Sequence, residues 1–259
     1  MRIASWNVNS VRLRLPALVA WLRAAAPDVV CLQELKCVDE AFPRAEIEAE
    51  GYNVLVHGQK TFNGVAILSK APLEETQRGL PGADDEQARY LEAIAPDGAG
   101  GVVRVASIYL PNGNPAGSDK YAYKLAWMAR LQAHARELLK LEEKLVLAGD
   151  YNVIPDERDV YDPAAWREDA LFRLETRQAF RRLLALGLTD ALRATSDAAG
   201  LYTFWDYQAL CWPRNKGLRI DHLLLSPQAA DRLKTVAIDK ETRGGEKPSD
   251  HVPIRLDLA

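Results

Sequence analysis

Short apolar runs rich in β-branched residues recur along the chain, and between them lie longer stretches in which apolar residues return every three or four positions. The first pattern is typical of buried or half-buried strands, and the second of helices that bury one side. Strands are predicted at Arg2–Val8, Asp28–Gln33, Asn53–Val56, Gly64–Leu68, Leu91–Ala95, Val102–Tyr109, Lys144–Ala148, Tyr202–Trp205, Arg219–Leu225, Thr235–Ile238 and Val252–Leu256. Helices are predicted at Pro16–Ala25, Arg44–Glu50, Asp119–Leu141 and Glu175–Leu186.

Two of these helices begin at residues that favour a helix start. Asp119 is expected to cap the third helix, whose apolar positions include Tyr121, Leu125 and Met128. Pro16 is expected in the first turn of the first helix, where the N–H that proline lacks would have no partner.

The strands outnumber the helices and do not alternate strictly with them, which favours an α/β sandwich of two sheets covered by helices. Connections rich in Gly, Pro and Asp lie at Arg78–Gln87, Asp97–Gly101, Pro111–Gly117, Pro155–Asp169 and Arg243–Asp250. None of them is long or biased enough to join two separate domains. A single domain over residues 1–259 is therefore predicted.

Composition narrows the class of protein. Of the 259 residues, 48% are apolar and 27% are charged, as in a globular protein with a sizeable core. The cysteines Cys31, Cys37 and Cys211 are odd in number and lack C-x-x-C spacing, which favours a reducing compartment. No apolar leader or membrane-length run is present, so a cytoplasmic protein without membrane contact is expected. With a net charge of −3, a DNA-binding protein must gather its basic residues on one face.

Polar side chains follow several of the predicted strands at the point where each strand ends. Asn7, Glu34, Tyr109, Asp150 and Asn152 all have this placement. Strand ends deliver side chains to the rim of a sheet on rigid supports, and such rims often hold active sites. The alternative for any one of them is a turn or a helix cap.

Two further segments near the C-terminus pair an Asp with a His. Asp221-His222 opens an apolar run, and Asp250-His251 precedes the last strand. A carboxylate that orients an imidazole is the usual support for acid–base catalysis. A structural histidine with satisfied hydrogen bonds is the alternative for either one.

Taken in order, six short motifs resemble the exonuclease III family of abasic-site endonucleases, a group within the DNase I-like metal phosphodiesterases. They are Trp6-Asn7-Val8-Asn9, Gln33-Glu34, Tyr109-Leu110-Pro111-Asn112, Gly149-Asp150-Tyr151-Asn152, Gly217-Leu218-Arg219-Ile220-Asp221 and Ser249-Asp250-His251. The resemblance spans almost the whole chain. It implies a four-layer α/β sandwich, with two mixed β-sheets packed face to face and flanked by helices.

The resemblance also implies a metal-dependent reaction. Glu34 would be the principal Mg²⁺ ligand with Asn7 beside it, and Mn²⁺ is a plausible substitute. The metal region would extend to the side chains Asp150, Asn152, Asp250 and His251. For Asp250, a turn carboxylate that caps the backbone is the alternative.

Catalytic roles follow from the same matches. His251, oriented by Asp221, would contact the scissile phosphate or the attacking water, and Asp150 with Asn152 would position that water. Which of Asp150 and His251 takes the proton stays open at this point. The side chains of Tyr109 and Asn112 would grip the phosphate as negative charge develops on it.

DNA contacts form a separate set of expectations. The candidate phosphate partners are Lys36, Arg89, Arg214, Lys216 and Arg219, each with solvated surface as its alternative. Phe204, Trp205, Trp212 and Leu218 match positions around the flipped-out sugar, although core packing is favoured for the two tryptophans. At the position of Leu218, bacterial-type relatives carry Leu and eukaryotic-type relatives carry Trp, so this sequence agrees with the bacterial type.

The implied function is DNA repair by a monomer. The enzyme would hydrolyse the phosphodiester 5′ to an abasic site in double-stranded DNA and also trim or clean 3′ ends. One rival is a related phosphodiesterase that acts on inositol phosphates, sphingomyelin or poly(A). The motifs Tyr109-Leu110-Pro111-Asn112 and Gly217-Leu218-Arg219-Ile220-Asp221 argue against it. The other rival is a binding protein that has lost catalysis, but Glu34, Asp150, Asp221 and His251 are all present.

Overall fold

The computed structural model describes residues 1–259 and contains two six-stranded sheets packed face to face. The strands are β1 (Arg2–Asn7), β2 (Val29–Gln33), β3 (Asn53–His57), β4 (Val65–Ser69), β5 (Glu74–Arg78), β6 (Tyr90–Pro96), β7 (Val102–Tyr109), β8 (Lys144–Asp150), β9 (Thr189–Asp190), β10 (Asp221–Leu225), β11 (Leu233–Ile238) and β12 (Ile254–Leu258). The first sheet has the order β11-β12-β1-β2-β4-β3, and the second has the order β5-β6-β7-β8-β10-β9.

Seven helices connect or cover the sheets. They are α1 (Val11–Ala25), α2 (Arg44–Glu48), α3 (Asp119–Leu139), α4 (Pro163–Trp166), α5 (Leu174–Leu184), α6 (Ala191–Thr195) and α7 (Pro227–Ala230). Short 3₁₀ turns lie at Asp39–Ala41, Glu157–Asp159 and Lys240–Gly244. None of the helices combines the length and the apolar character that crossing a bilayer requires.

The layers follow from the alternation of side chains along each strand. In β1, Ile3 lies in the core between the sheets, whereas Ala4 and Trp6 pack outward against the residues of α1. In β7 and β8, alternate residues enter the same inter-sheet core, and the others contact α3 and α5. The predicted four-layer α/β sandwich with two mixed β-sheets is therefore confirmed.

The same alternation carries functional side chains to one rim of the sandwich. Strands β1 and β2 run parallel, as do β7 and β8, so their carboxyl ends meet at a common edge. Asn7, Tyr109 and Asp150 each lie two positions after a residue whose side chain faces the space between the sheets. Because side chains alternate along a strand, these three also point inward, at the end of the strand. Asp221 pairs directly with Asp150 in the antiparallel β8–β10 ladder.

Some predicted elements differ from those observed. Tyr202–Trp205 is not a strand, because Phe204 makes only isolated bridges to Leu218 and His251. Helix α1 begins at Val11, so Pro16 lies inside it rather than in its first turn. Ser118 occupies the N-cap position of α3, and the Asp119 side chain makes no capping bond there.

Two strands were not predicted. The five residues of β5 are mostly exposed and polar, so this edge strand lacks the apolar alternation on which the prediction rests. Strand β9 has only two residues, too few for any period to show. Both strands lie at the edges of the second sheet.

Candidate active site

The site is centred on Asn7, the last residue of β1. Its side chain is buried, and Nδ2 donates to Glu34 Oε1 at 2.8 Å and to Asp150 Oδ2 at 2.9 Å. One amide therefore joins a carboxylate of the first sheet to a carboxylate of the second. This contact places Glu34 and Asp150 side by side at the rim.

Glu34 reaches the rim through an unusual backbone conformation. Its φ is +53°, in the left-handed region, so the regular alternation of side chains along β2 does not continue to Glu34. Lys36, with φ at +55°, places Nζ 2.9 Å from Glu34 Oε2 and donates to Asn9 Oδ1 at 2.5 Å. Burial alone would raise the pKa of Glu34, but Lys36 and the Asn7 hydrogen bond hold it below its usual value.

Asp150 is fixed by the backbone around it. A Cβ at Gly149 would lie 2.0 Å from the carbonyl oxygen of Ile108, so only glycine allows β8 to approach β7 here. The Asn152 backbone N–H donates to Asp150 Oδ1 at 2.8 Å, and Asn152 Nδ2 lies 3.3 Å from Asp150 Oδ2. The carboxylate is 1% exposed and has little freedom to turn.

His251 is held between two carboxylates. Its Nδ1 donates to Asp221 Oδ2 at 2.9 Å, and Nε2 lies 3.7 Å from Asp150 Oδ2. The indole of Trp6 donates to the His251 carbonyl at 3.1 Å and anchors the backbone of that residue against β1. Because Asp221 fixes the ring through Nδ1, Nε2 is the nitrogen that faces the site.

The charges in this cluster are strongly coupled. Burial alone would lower the pKa of His251, but the carboxylates of Asp221 and Asp150 raise it well above the usual value. Burial raises the pKa of Asp150 despite the attraction of His251, and Asp221 adds to the rise. Asp221 Oδ1 is buried without a hydrogen-bond partner, so the bond from His251 Nδ1 to Oδ2 is the only hydrogen bond that the Asp221 carboxylate makes. Both carboxylates therefore favour the protonated form of His251.

Tyr109 lines the neighbouring cavity as a neutral phenol. Burial raises the pKa of Tyr109 well above its usual value, and the carboxylates of Glu34 and Asp150 add to the effect. The Arg89 guanidinium lies over the Tyr109 ring, 4.7 Å from its centroid. The cavity holds about 410 Å³ and is lined by Glu34, Lys36, Gln59, Phe62, Asn63, Gln87, Arg89 and Tyr109. Tyr109 is therefore available as a hydrogen-bond donor beside Glu34.

Asn112 joins the site from the loop after β7. Its Nδ2 donates to Asn152 Oδ1 at 3.1 Å, while Asn152 Nδ2 donates to the Leu110 carbonyl at 2.9 Å. Beneath both asparagines lies Lys124 of α3, which is 0% exposed. Sequence reasoning overlooked this lysine, although a Lys spaced between Tyr121 and Met128 on the buried face of a helix is itself a signal.

Asp250 stands beside the site and outside its centre. It is half-buried, and Asn9 Nδ2 donates to its Oδ1 at 2.9 Å. The cluster with metal-ligand spacing contains Glu34, Asp150 and His251 and does not include Asp250. A second metal position at Asp250 stays a prediction.

Four of the basic residues predicted to contact DNA have side chains that reach the surface. Lys36 and Arg89 line the site cavity, and Arg214 is exposed. The half-buried Lys216 places its Nζ over the ring of Tyr161.

Arg219 is the exception, and its predicted phosphate contact is wrong. The side chain is 1% exposed and donates to Asp159 Oδ1 at 2.6 Å and to Asp190 Oδ2 at 2.8 Å. Two buried carboxylates satisfy the guanidinium, which cannot reach solvent. Arg219 instead ties the segment before β10 to the body of the protein.

The predicted sugar pocket is only partly exposed. Phe204 is half-buried and meets the His251 ring edge to face with centroids 4.9 Å apart. Leu218 is 1% exposed beneath it, and Trp205 is 0% exposed, so neither presents a surface to DNA in this conformation. Trp212 is half-buried and packs its ring against that of Trp205 at 4.9 Å, which agrees with the favoured core interpretation.

The donor set fits a hard divalent cation. Glu34, Asp150 and His251 each offer one ligand atom, and these atoms lie within 4.8 Å of one another. Most nearby donors are carboxylate or amide oxygens, which Mg²⁺ and Mn²⁺ prefer over sulfur ligands. The crowding of Glu34, Asp150 and Asp221 also gives a cation a favourable electrostatic environment.

Known proteins share this sequence and architecture. Residues 4–251 match the Endonuclease/Exonuclease/phosphatase family. Exodeoxyribonuclease III of Haemophilus influenzae is 33% identical over 262 residues, which cover 98% of each chain. DNA repair nuclease APEX1 of Danio rerio is 33% identical, with 100% of this chain and 82% of that protein covered.

Solved structures agree over the full chain. The 3′ phosphatase NExo from Neisseria, bound to a product DNA hairpin, is 41% identical, with a TM-score of 0.95 and coverage of 100% of this chain and 99% of that one. An AP endonuclease from Archaeoglobus fulgidus is 35% identical, with a TM-score of 0.94 and the same coverage. The chain therefore belongs to the endonuclease/exonuclease/phosphatase family and, within it, to the group that contains exodeoxyribonuclease III and the AP endonucleases.

Proposed function

We propose that the protein hydrolyses the phosphodiester 5′ to an abasic site in double-stranded DNA, in a Mg²⁺-dependent reaction, and that it also processes 3′ ends. Water attacks the phosphorus, the bond to the 3′ oxygen breaks, and the products carry a 3′ hydroxyl and a 5′ phosphate. The observation that carries this proposal is the meeting of Glu34, Asp150 and His251 around the Asn7 amide at one rim.

Glu34 is the principal residue that would hold the metal, with Asp150 and the amides of Asn7 and Asn152 close by. When bound, the ion polarises the phosphate and offsets the charge that develops on the leaving 3′ oxygen. Lys36 at 2.9 Å already balances part of the Glu34 charge, and its place in the cavity lining makes it a candidate partner for a phosphate oxygen. Mn²⁺ shares the oxygen preference of Mg²⁺ and is proposed as a substitute.

Acid–base chemistry falls to Asp150 and His251. Because Asp221 keeps a proton on His251, the imidazolium is suited to donate a hydrogen bond to the phosphate through Nε2. Asp150 is then the group positioned to accept the proton of the attacking water, with Asn152 fixing its carboxylate. The neutral Tyr109 and Asn112 donate to the phosphate oxygens.

The whole chain would act as one catalytic domain, since the site draws on residues from Asn7 to His251. A duplex bound across the rim meets Lys36 and Arg89 beside the cavity. We propose action as a monomer, because both sheets that form the site belong to one chain. The free thiols of Cys31, Cys37 and Cys211 suit a cytoplasmic location.

The test is incision of a labelled duplex that carries one abasic analogue. With Mg²⁺, we expect the first product to end in a 3′ hydroxyl directly 5′ to the lesion, and no product in EDTA. The same duplex without the lesion is the matched substrate control. Absence of incision with both Mg²⁺ and Mn²⁺ would refute the proposal.

A second candidate activity is removal of a 3′ phosphate from DNA. Its support is the 41% identity and TM-score of 0.95 to the Neisseria 3′ phosphatase. A DNA hairpin with a 3′ phosphate, assayed for released inorganic phosphate, separates this activity from incision. Release of phosphate without abasic incision would make end processing the principal reaction.

A further inference from the structure

Lys124 is a fully buried lysine whose Nζ contacts no carboxylate. It lies on the inward face of α3 at 0% exposure, and its Nζ donates to the Asn112 carbonyl at 3.0 Å and to the Asn152 carbonyl at 2.6 Å. Lysine is almost never fully buried without a charged partner, because leaving water is costly for an ammonium group. Its neighbours on the same face, Tyr121 and Met128, follow the ordinary apolar pattern. Packing alone therefore does not account for a lysine at this position.

The two carbonyls belong to the two asparagines that meet at the site. The two side chains are hydrogen-bonded to each other, with Asn112 Nδ2 donating to Asn152 Oδ1 at 3.1 Å. Lys124 Nζ connects the same two residues a second time, through their backbone carbonyls. The loop is built around the lysine stem, since a Cβ at Gly113 would lie 2.6 Å from Lys124 Cδ. The backbone of Asn112 and Gly113 therefore closes onto Lys124.

Asn152 needs such support. Its φ is +47°, in the left-handed region, which asparagine tolerates better than most residues but which is still less favourable than an ordinary negative φ. In this conformation its N–H reaches Asp150 Oδ1 at 2.8 Å and its Nδ2 reaches the Leu110 carbonyl. A shift of Asn152 would move the Asp150 carboxylate and the Asn112 amide together.

We propose that Lys124 is a positioning residue for the nuclease reaction, one that fixes Asn112 and Asn152 relative to each other through their carbonyls. The proposal rests on the proposed function of this site. Lys124 itself touches no substrate, because it is enclosed beneath the two asparagines. A misplacement of about 1 Å at a reacting centre can cost roughly 100-fold in rate.

The main test is Lys124→Met, which keeps most of the stem and removes all N–H donors. With the abasic duplex and Mg²⁺, we expect kcat to fall about 100-fold while KM and the salt dependence of binding stay unchanged. Lys140→Met is the matched control, since it makes the same substitution at an exposed position at the end of the same helix and should behave as wild type. Thermal unfolding of each variant shows whether it is folded.

A double-mutant cycle with Asn112→Ala separates positioning from a merely structural role. If Lys124 acts through Asn112, the loss in kcat of the double variant is clearly smaller than the product of the single losses. Losses that multiply, or a folded Lys124→Met variant within twofold of wild-type kcat, would overturn the proposal.

Lys124→Gln provides the test if the Met variant does not fold. Its shorter side chain cannot span both carbonyls, so kcat should again fall with coupling to Asn112→Ala. A folded Gln variant with wild-type kcat would show that the double contact is dispensable. Failure of the wild-type protein to process either abasic or 3′-phosphate DNA would instead count against the proposed function, and the two failures are thereby distinguished.

Discussion

Lowering the pH should destabilise the protein through His222, the neighbour of Asp221 in β10. The imidazole is 0% exposed and packs against Tyr151 and Phe180, with ring centroids 5.5 Å and 4.9 Å away. Its Nε2 donates to the Val153 carbonyl at 2.9 Å, and Nδ1 accepts from Arg219 at 3.0 Å. A second ring proton would therefore face a guanidinium N–H in a site that is closed to solvent.

The magnitude follows from the shift in proton affinity. Burial, reinforced by Arg219, lowers the pKa of His222 from 6.5 to about 4. Because the folded-state pKa lies below the unfolded value, the unfolded chain binds more protons between these two pH values. The contribution of His222 to stability is fully present above pH 6.5 and is lost as the pH falls toward 4. At 1.36 kcal/mol per unit, the loss is about 3 kcal/mol.

The assay compares urea unfolding of the wild type and His222→Asn at several pH values between 7 and 4. Asparagine can still accept from Arg219 but does not titrate. The variant therefore loses the contribution of His222 to the pH dependence of stability and keeps the contributions of all other groups. The free energy of unfolding of the wild type should fall by about 3 kcal/mol more than that of the variant, or about 1 M in midpoint at an m-value near 3 kcal/mol/M. With only four histidines in the chain, NMR titration of the His222 ring is a direct check.

Two results would refute this reasoning. One is a folded-state His222 that titrates near 6.5. The other is a wild type and a variant whose stabilities decline in parallel over the same pH range. Either would show that the ring has access to water or that Arg219 moves aside when the imidazole gains a proton.

The remaining predictions concern the site itself. Glu34→Ala should fold and lose most incision, with only partial recovery in excess Mg²⁺, and full activity of this variant in EDTA would exclude the metal mechanism. His251→Asn and Asp221→Asn should each reduce kcat by several orders of magnitude, with a double variant little worse than either, whereas additive losses would show that Asp221 does not serve His251. Phe204→Ala should lower the ratio of cutting rates on abasic and intact duplexes at fixed salt, and an unchanged ratio would make Phe204 a core residue only. Lys36→Ala should reduce the slope of log affinity for DNA against log salt by about one, and an unchanged slope would show that Lys36 reaches no phosphate.

Most of the fold could be predicted because strand periodicity is a local property. Strand β7 begins and ends as its apolar run indicates. Strands β1 and β2 differ from their predictions by one residue at one end, and β4 differs by one residue at each end. Tyr202–Trp205 has an equally apolar sequence but forms no strand, because its neighbours Leu218 and His251 pair with it at single positions. Strand pairing depends on distant partners, which a local pattern does not contain.

The candidate active site shows the same difference between what a local pattern predicts and what contacts between distant segments decide. The sequence alone determined which residue types end the strands, and this placement was enough to expect Asn7, Tyr109 and Asp150 at the rim of a sheet. Only the tertiary structure decided that Arg219 is buried between two aspartates and that Lys124 supports the two asparagines. Both outcomes depend on partners 12 to 60 positions away along the chain. A charged side chain looks the same in sequence whether it meets solvent or a buried carboxylate or carbonyl, because its environment is created when remote segments pack together.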